Sequence, residues 1–304
     1  MITVQGITKT FGKYTALEEF SFEAPQGRIH GIVGYNGAGK TTLMKIIAGI
    51  YRPEKGKVLL DGVSIYENEE IKQSLFMVQD EPYFTPQGTL NSLALLYSGY
   101  YPGWSFKTFK HLVDFFSLDP GKRVNGFSKG MQRQASLVLA LACRPQCLLL
   151  DESFDGLDLI KRKQLKKLLF AYREEWATHI LISSHNLREL EGLCDHVALI
   201  RDKGLYLSSP VDKMQGMGSK YFIVFEEGNE EEKGLSLIKA AGAKNTDRDG
   251  YGYTFLWEGS QREAAEVLEP IKPKILEQRP LSLEEIFLED EEDKSYDFKS
   301  FFIA

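Results

Sequence analysis

The chain predicts an α/β architecture: a parallel core sheet, a small antiparallel β layer, a helical insertion and a second, smaller α+β domain. Three observations carry that expectation. Short runs of Ile, Val and Leu, apolar throughout, recur between helical stretches, as parallel strands covered on both faces require. The segment Gly34-Tyr35-Asn36-Gly37-Ala38-Gly39-Lys40-Thr41-Thr42 directly follows one such run and opens a helical one. Charge also changes along the 304 residues: 219–304 hold twenty acidic and eleven basic side chains, leaving −9 there and +3 on 1–218.

Taken in order, the opening residues alternate, as in Ile2-Thr3-Val4 and Phe20-Ser21-Phe22. With Val58 to Gly62 they predict an antiparallel layer closed by a tight turn. Parallel strands are expected over 28–33, 74–78, 147–150, 178–183 and 196–201. Between the second and third lies an aromatic-rich stretch with Gly/Pro punctuation, then Phe106 to Phe116 at helical spacing, a helical insertion over about 83–145. The GMGS at 216–219 reads as a linker. Beyond it the pattern restarts: strand 221–225, helix 235–241, strand 251–257, helix 261–268. A last helix within 281–288 is capped by Ser282 with Glu285 three residues on. The run Glu289-Asp290-Glu291-Glu292-Asp293 is expected to be solvated. Domain boundaries follow: 1–218 binds nucleotide, and 219–304 is an acidic accessory domain.

Composition removes several classes. An apolar fraction of 43% with 26% charged residues suits a folded globular chain. No run approaches the roughly 20 apolar residues of a membrane span. The opening MITVQGITKTFGKY lacks the charged-then-apolar pattern of a secretory signal, so a cytoplasmic chain is expected. Three cysteines without a CxxC read as buried free thiols. Five histidines lack metal-ligand spacing, and His30 and His179 read as structural. Neither part carries the basic stripe of a nucleic-acid binder, so no nucleic-acid partner is expected.

Residues 34–42 satisfy G-x-x-x-x-G-K-[ST]. The backbone at Gly34, Asn36, Gly37, Ala38 and Gly39 is expected to wrap phosphate oxygens, with the helix N-terminus at Lys40 to Thr42 adding positive potential. Lys40 reaches the β- and γ-phosphates and the Thr41 hydroxyl ligates Mg²⁺. A purine nucleoside triphosphate is the expected ligand, and the absence of N-K-x-D argues against a GTPase. The strand Cys147 to Leu150 ends in Asp151-Glu152. At the C-terminal end of a parallel sheet, Asp151 holds the metal through water, and Glu152 orients or deprotonates the attacking water. Ser183-Ser184-His185 ends the next strand, aiming His185 at the γ-phosphate.

With these residues in place, the sequence resembles an ATP-binding cassette (ABC) ATPase, the motor subunit of ABC transporters, over 1–218. Gln79 matches the family's glutamine loop, which implies contact with nucleotide and metal. Phe127-Ser128-Lys129-Gly130-Met131 corresponds to the signature, LSGGQ in consensus. Gly156-Leu157-Asp158 matches the loop after the second carboxylate, implying that Asp158 borders nucleotide. His185 matches the switch histidine, and Phe11 the aromatic that stacks on adenine. Lys129, Met131 and Ser153 depart from consensus, while Ser128 and Gly130 survive. The S-K-G-M form and Tyr100-Tyr101-Pro102-Gly103-Trp104 resemble exporters of the antibiotic-resistance and bacitracin type.

The resemblance implies an ATPase converting ATP and water to ADP and phosphate, with Glu152, His185 and Lys40 catalytic. It implies a head-to-tail pair of cassettes, homodimer or heterodimer, in which Ser128 and Gly130 meet the partner's ATP. It also implies a separate integral membrane permease, whose coupling helix docks near Gln79 to Pro86 and 97–109. The chain would then be peripheral on the cytoplasmic face of the cell membrane. The competing reading is a soluble ABC ATPase acting on the ribosome or DNA. Such proteins usually carry two cassettes or long insertions, which this sequence lacks.

Overall fold

A computed structural model describes residues 1–215, 218–225, 230–258, 261–271 and 273–288. The chain divides into two compact units, Met1–Ser209 and Pro210–Ala304.

The first unit opens with β1 (Ile2–Phe11) and β2 (Tyr14–Ala24), then β3 (Ile29–Val33) and helix α1 (Lys40–Ile47). Next come β4 (Lys55–Leu60), β5 (Val63–Ser64), α2 (Glu69–Lys72) and β6 (Leu75–Val78). The insertion supplies α3 (Leu90–Tyr100), α4 (Phe106–Phe116) and α5 (Lys129–Cys143). The unit closes with β7 (Cys147–Asp151), α6 (Leu159–Trp176), β8 (His179–Ser184), α7 (Leu187–Leu190), β9 (His196–Arg201) and β10 (Gly204–Pro210).

Two sheets result. One is ordered β2-β1-β4-β5 with antiparallel pairs throughout. The other is ordered β10-β9-β3-β8-β7-β6, in which β9, β3, β8, β7 and β6 run parallel. Every residue of β3, β7 and β8 is buried, which is why their sequences do not alternate. Helix α1 lies in the core that joins the sheets. Leu43, Met44 and Ile47 share a cluster with Ile2, Val4 and Phe20 of the antiparallel layer and Ile32, Leu149 and Leu181 of the parallel one. Packing on both sides fixes the start of α1, and with it the preceding loop.

In the insertion, Thr89, Ser105 and Ser128 cap α3, α4 and α5, each side-chain oxygen accepting a backbone N–H three residues on. The stretch Gln134 to Cys143 of α5 is buried, with α3 and α4 packed against this helix. All three cysteines are free and buried, and burial pushes their thiols up.

The second unit contains α8 (Val211–Gln215), β11 (Gly218–Val224), α9 (Glu230–Ala240), β12 (Lys244–Asp249), β13 (Gly252–Glu258), α10 (Gln261–Leu268), β14 (Ile275–Pro280) and α11 (Leu283–Leu288). Its sheet is antiparallel in the order β12-β13-β11-β14. That order, with the succession β-α-β-β-α-β, is the split βαβ arrangement. Tyr221, Ile223, Phe255 and Trp257 pack with Ile238, Ala264 and Leu268 to form its core. Ser282 and Glu285 form the expected capping box: the Glu285 N–H donates to Ser282 Oγ at 3.2 Å, and the Ser282 N–H to Glu285 Oε2 at 2.9 Å.

The GMGS reading needs correction. Residues 216 and 217 lie outside the described residues, but Gly218 and Ser219 open β11, where Ser219 pairs with Trp257 and Pro280. Helix α8 falls with the second unit, ahead of the boundary read at residue 218. The acidic run 289–293 also lies outside the described residues.

Candidate active site

Loop 34–39 leaves the buried end of β3 and enters α1 under tight steric limits. Gly39 has φ +105°, and a Cβ there would lie 2.7 Å from the Ala16 carbonyl oxygen, so only glycine fits. A Cβ on Gly34 would likewise meet the Ile200 carbonyl oxygen at 2.7 Å. No side chain caps α1, so its first N–H groups remain for an anion. Tyr35, Asn36 and Gly37 are exposed, and Ala38 and Gly39 half-buried. The Tyr14 hydroxyl donates to the Gly37 carbonyl at 3.0 Å, bracing the loop from β2.

Lys40 is buried. Its ammonium donates to the Gly34 carbonyl at 2.7 Å and the Tyr35 carbonyl at 3.2 Å, and lies 3.3 Å from Glu152 Oε1. One residue on, the Thr41 hydroxyl donates to Asp151 Oδ1 at 3.2 Å, whereas Thr42 is half-buried. Asp151, at the end of β7, also accepts from the Ser183 hydroxyl at 2.5 Å. Burial raises its carboxyl above the ordinary carboxylate range, against the opposing pull of the Ser183 and Thr41 hydrogen bonds.

Glu152 occupies the left-handed region at φ +46°, a strained conformation for this residue. Its N–H donates to Ser183 Oγ at 3.1 Å. The strain turns the carboxylate off the line of the sheet, between Lys40 and His185: His185 Nδ1 lies 2.9 Å from Glu152 Oε2. Ligand atoms of Glu152, Asp155 and His185 come within 4.8 Å of one another. The structure thus brings Lys40, Thr41, Asp151, Glu152 and His185 to one end of the parallel sheet. Sequence reasoning missed Tyr14, Ser183 and Asp155. A hydroxyl ending the strand beside Asp151 was the available signal for Ser183.

The remaining candidates stand on other elements, and their contacts among the described residues are with partners other than Lys40, Asp151, Glu152 or His185. Phe11 ends β1, 43% exposed, its ring edge-on to Tyr51 at 5.5 Å. Gln79 follows β6 and lines a groove of about 280 Å³ with Phe76, Tyr83, Tyr97 and Tyr101. Ser128 caps α5, accepting from the Met131 N–H at 3.3 Å. Gly130 comes close to the loop after β7, where its Cβ would be 3.7 Å from the Gly156 carbonyl oxygen. Asp158 caps α6, accepting from the Lys161 N–H at 2.8 Å. His30 and His179 are buried far from this edge, at the N-terminal ends of β3 and β8.

Comparison with known proteins identifies the family. Residues 17–155 match the ABC transporter family model. The ABC transporter ATP-binding protein YtrB of Bacillus subtilis is 29% identical over 289 residues, covering 95% of this chain and 97% of that protein. The bacitracin transport ATP-binding protein BcrA of Bacillus licheniformis is 30% identical over 224 residues, 73% of each chain. Among solved structures, the dimeric post-hydrolysis state of the ATP-binding cassette MJ0796 bound to ADP and Pi shares the fold. Its TM-score is 0.63 at 20% identity, covering 69% of this chain and 99% of that one. The chain accordingly belongs to the ABC transporter ATP-binding proteins, as an ATP-hydrolysing motor subunit.

Proposed function

We propose that this motor drives export through a separate membrane permease, acting as a head-to-tail pair of cassettes that encloses two ATP molecules. The observation that carries the catalytic part is the chain of contacts Lys40–Glu152–His185. An incoming triphosphate competes with Glu152 for the Lys40 ammonium. Drawing that cation to the β- and γ-phosphates frees the Glu152 carboxylate to orient a water and accept its proton. His185, 42% exposed at the side chain, turns from Glu152 to the γ-phosphate. Phe11 offers a face to adenine.

Mg²⁺ fits the site. Asp151 is a buried carboxylate held toward the hydroxyl of the exposed Thr41, an all-oxygen donor pair suited to a hard cation. Thr41 and Asp151, joined by Gln79, would hold it. When bound, the ion neutralises charge on the phosphates.

Pairing is supported by the start of α5, where Ser128 and Gly130 can receive the phosphate of a second copy or a related cassette, with Asp158 at the start of α6 bordering the nucleotide. For the permease, the groove beside Gln79 offers Tyr83, 81% exposed, next to Phe76, Tyr97 and Tyr101 with ring centroids 5.4–5.8 Å apart. The other aromatics expected there, Trp104, Phe106 and Phe109, pack on one another within the insertion. No described helix is long and apolar enough to cross a membrane, so the permease would hold this subunit at the cytoplasmic face. Residues 219–304 serve as an accessory domain outside the ATP chemistry. Export is supported by the S-K-G-M form of the signature, which resembles that of exporters, and transport by the bacitracin transport relative.

The test is Glu152→Gln, which keeps size and removes charge. It is expected to bind ATP, stop turnover and accumulate as a dimer in light scattering. A variant that stays monomeric at saturating ATP overturns the self-paired sandwich and favours a related cassette as partner.

A further inference from the structure

Arg133 lies one turn into α5, past the signature segment, with its side chain 16% exposed. Three of its donors are committed to two different loops. Nε donates to the Asp80 carbonyl at 3.2 Å, and Nη2 pairs with the Asp80 carboxylate, in the loop that leaves β6. Nη1 donates to the Asp155 carbonyl, in the loop that leaves β7. Only a guanidinium spans both, because its planar fork sends donors in fixed, diverging directions.

Each loop has its own task. Asp80 stands between Gln79 and Pro82, both of which line the groove. The Asp155 N–H donates to the Glu152 carbonyl at 3.1 Å, closing the turn that holds Glu152 in its strained conformation. The chain of contacts therefore runs from groove to Asp80, Arg133, Asp155 and Glu152.

We propose that Arg133 is a positioning residue: it ties the groove loop to the loop presenting Glu152, so that displacement at the groove reaches the hydrolytic carboxylate. Arg133 directs these donors to protein oxygens of the two loops. Its effect is on where Glu152 stands, hence on turnover and not on nucleotide affinity. The inference rests on the ATP-hydrolysing reading of the site.

The test uses the full chain and the variants Arg133→Gln, Arg133→Lys, Asp80→Asn and the Asp80→Asn/Arg133→Gln double. ATP turnover, ATP affinity and amide exchange over 79–82 and 153–157 are measured. Losing a charge-assisted hydrogen bond to the Asp155 carbonyl is expected to lower kcat about tenfold in Arg133→Gln, with KM within about twofold. Lys restores little of kcat, because an ammonium reaches one loop and leaves the tie cut. The double variant loses no more than Arg133→Gln alone, since one link is cut twice. Exchange over 153–157 rises in Asp80→Asn, although Asp80 makes no hydrogen bond to that segment. Unchanged kcat in Arg133→Gln, multiplying losses, or exchange confined to the mutated loop each overturn the proposal. Should Arg133→Gln not fold, Asp80→Asn and Arg133→Lys decide by the same exchange readout. An inactive wild type would count against the catalytic reading, while the exchange pattern would still judge the link.

Discussion

His185 Nδ1 and Glu152 Oε2 are 2.9 Å apart, and the His185 backbone N–H also points at that oxygen at 3.4 Å. A carboxylate only accepts, so the imidazole proton sits on Nδ1, leaving Nε2 to face outward. His185→Ala is therefore expected to lower kcat by about 10²-fold or more with ATP affinity little changed, as loss of a proton-handling partner does. Single-turnover hydrolysis beside equilibrium binding checks it.

Lys40 is the cation of the phosphate loop and its ammonium already bonds that loop's carbonyls. Lys40→Ala removes charge-assisted hydrogen bonds worth about 1.5–3 kcal/mol each, so ATP affinity should fall by roughly 10–100-fold. Titration with a fluorescent ATP analogue measures this. Near-native affinity would contradict the assignment of the loop.

At the opposite end of the sheet, His30, His179 and His196 begin β3, β8 and β9, with the His30 and His196 rings 5.5 Å apart. Burial, foremost, holds His30 down to about 4, and burial lowers His179 and His196 as well. These groups are neutral in the native chain and ordinary in the unfolded one. The stability they contribute is complete above pH 6.5 and is lost as pH falls below it. For His30 the loss is about 1.4 kcal/mol per pH unit until pH approaches 4. Urea unfolding at pH 7 and pH 5 should show the decline, and His30→Gln should flatten its slope by one proton.

The fragment 1–209 retains the phosphate loop, Asp151, Glu152 and His185, together with the core that positions them. It is expected to bind ATP within about threefold of the full chain, as a unit with its own core should. Loss of binding in a fragment with native circular dichroism would show that the second unit takes part in the ATP site.

Much of this was legible in the sequence because the informative residues are local. The loop 34–42 and the acidic pair after Leu150 lie in short segments whose backbone course follows from their own residues. The strand-ending Ser183 was visible but mute: its role depends on β7 and β8 being neighbours, which places its hydroxyl 2.5 Å from Asp151. Arg133 is illegible for the same reason, since its partners are 53 and 22 residues away. Strand β12, Lys-Asn-Thr-Asp-Arg-Asp, carries no apolar residue and is a strand only because it pairs along β13 at the sheet's edge.

Strands β11 and β14 of the second unit lie side by side and antiparallel, with Ser219 opposite Pro280. The chain thus enters this sheet and leaves it at the same end, roughly one strand spacing, about 5 Å, apart. Two ends this close can be joined by a short link, so this unit is expected to tolerate circular permutation.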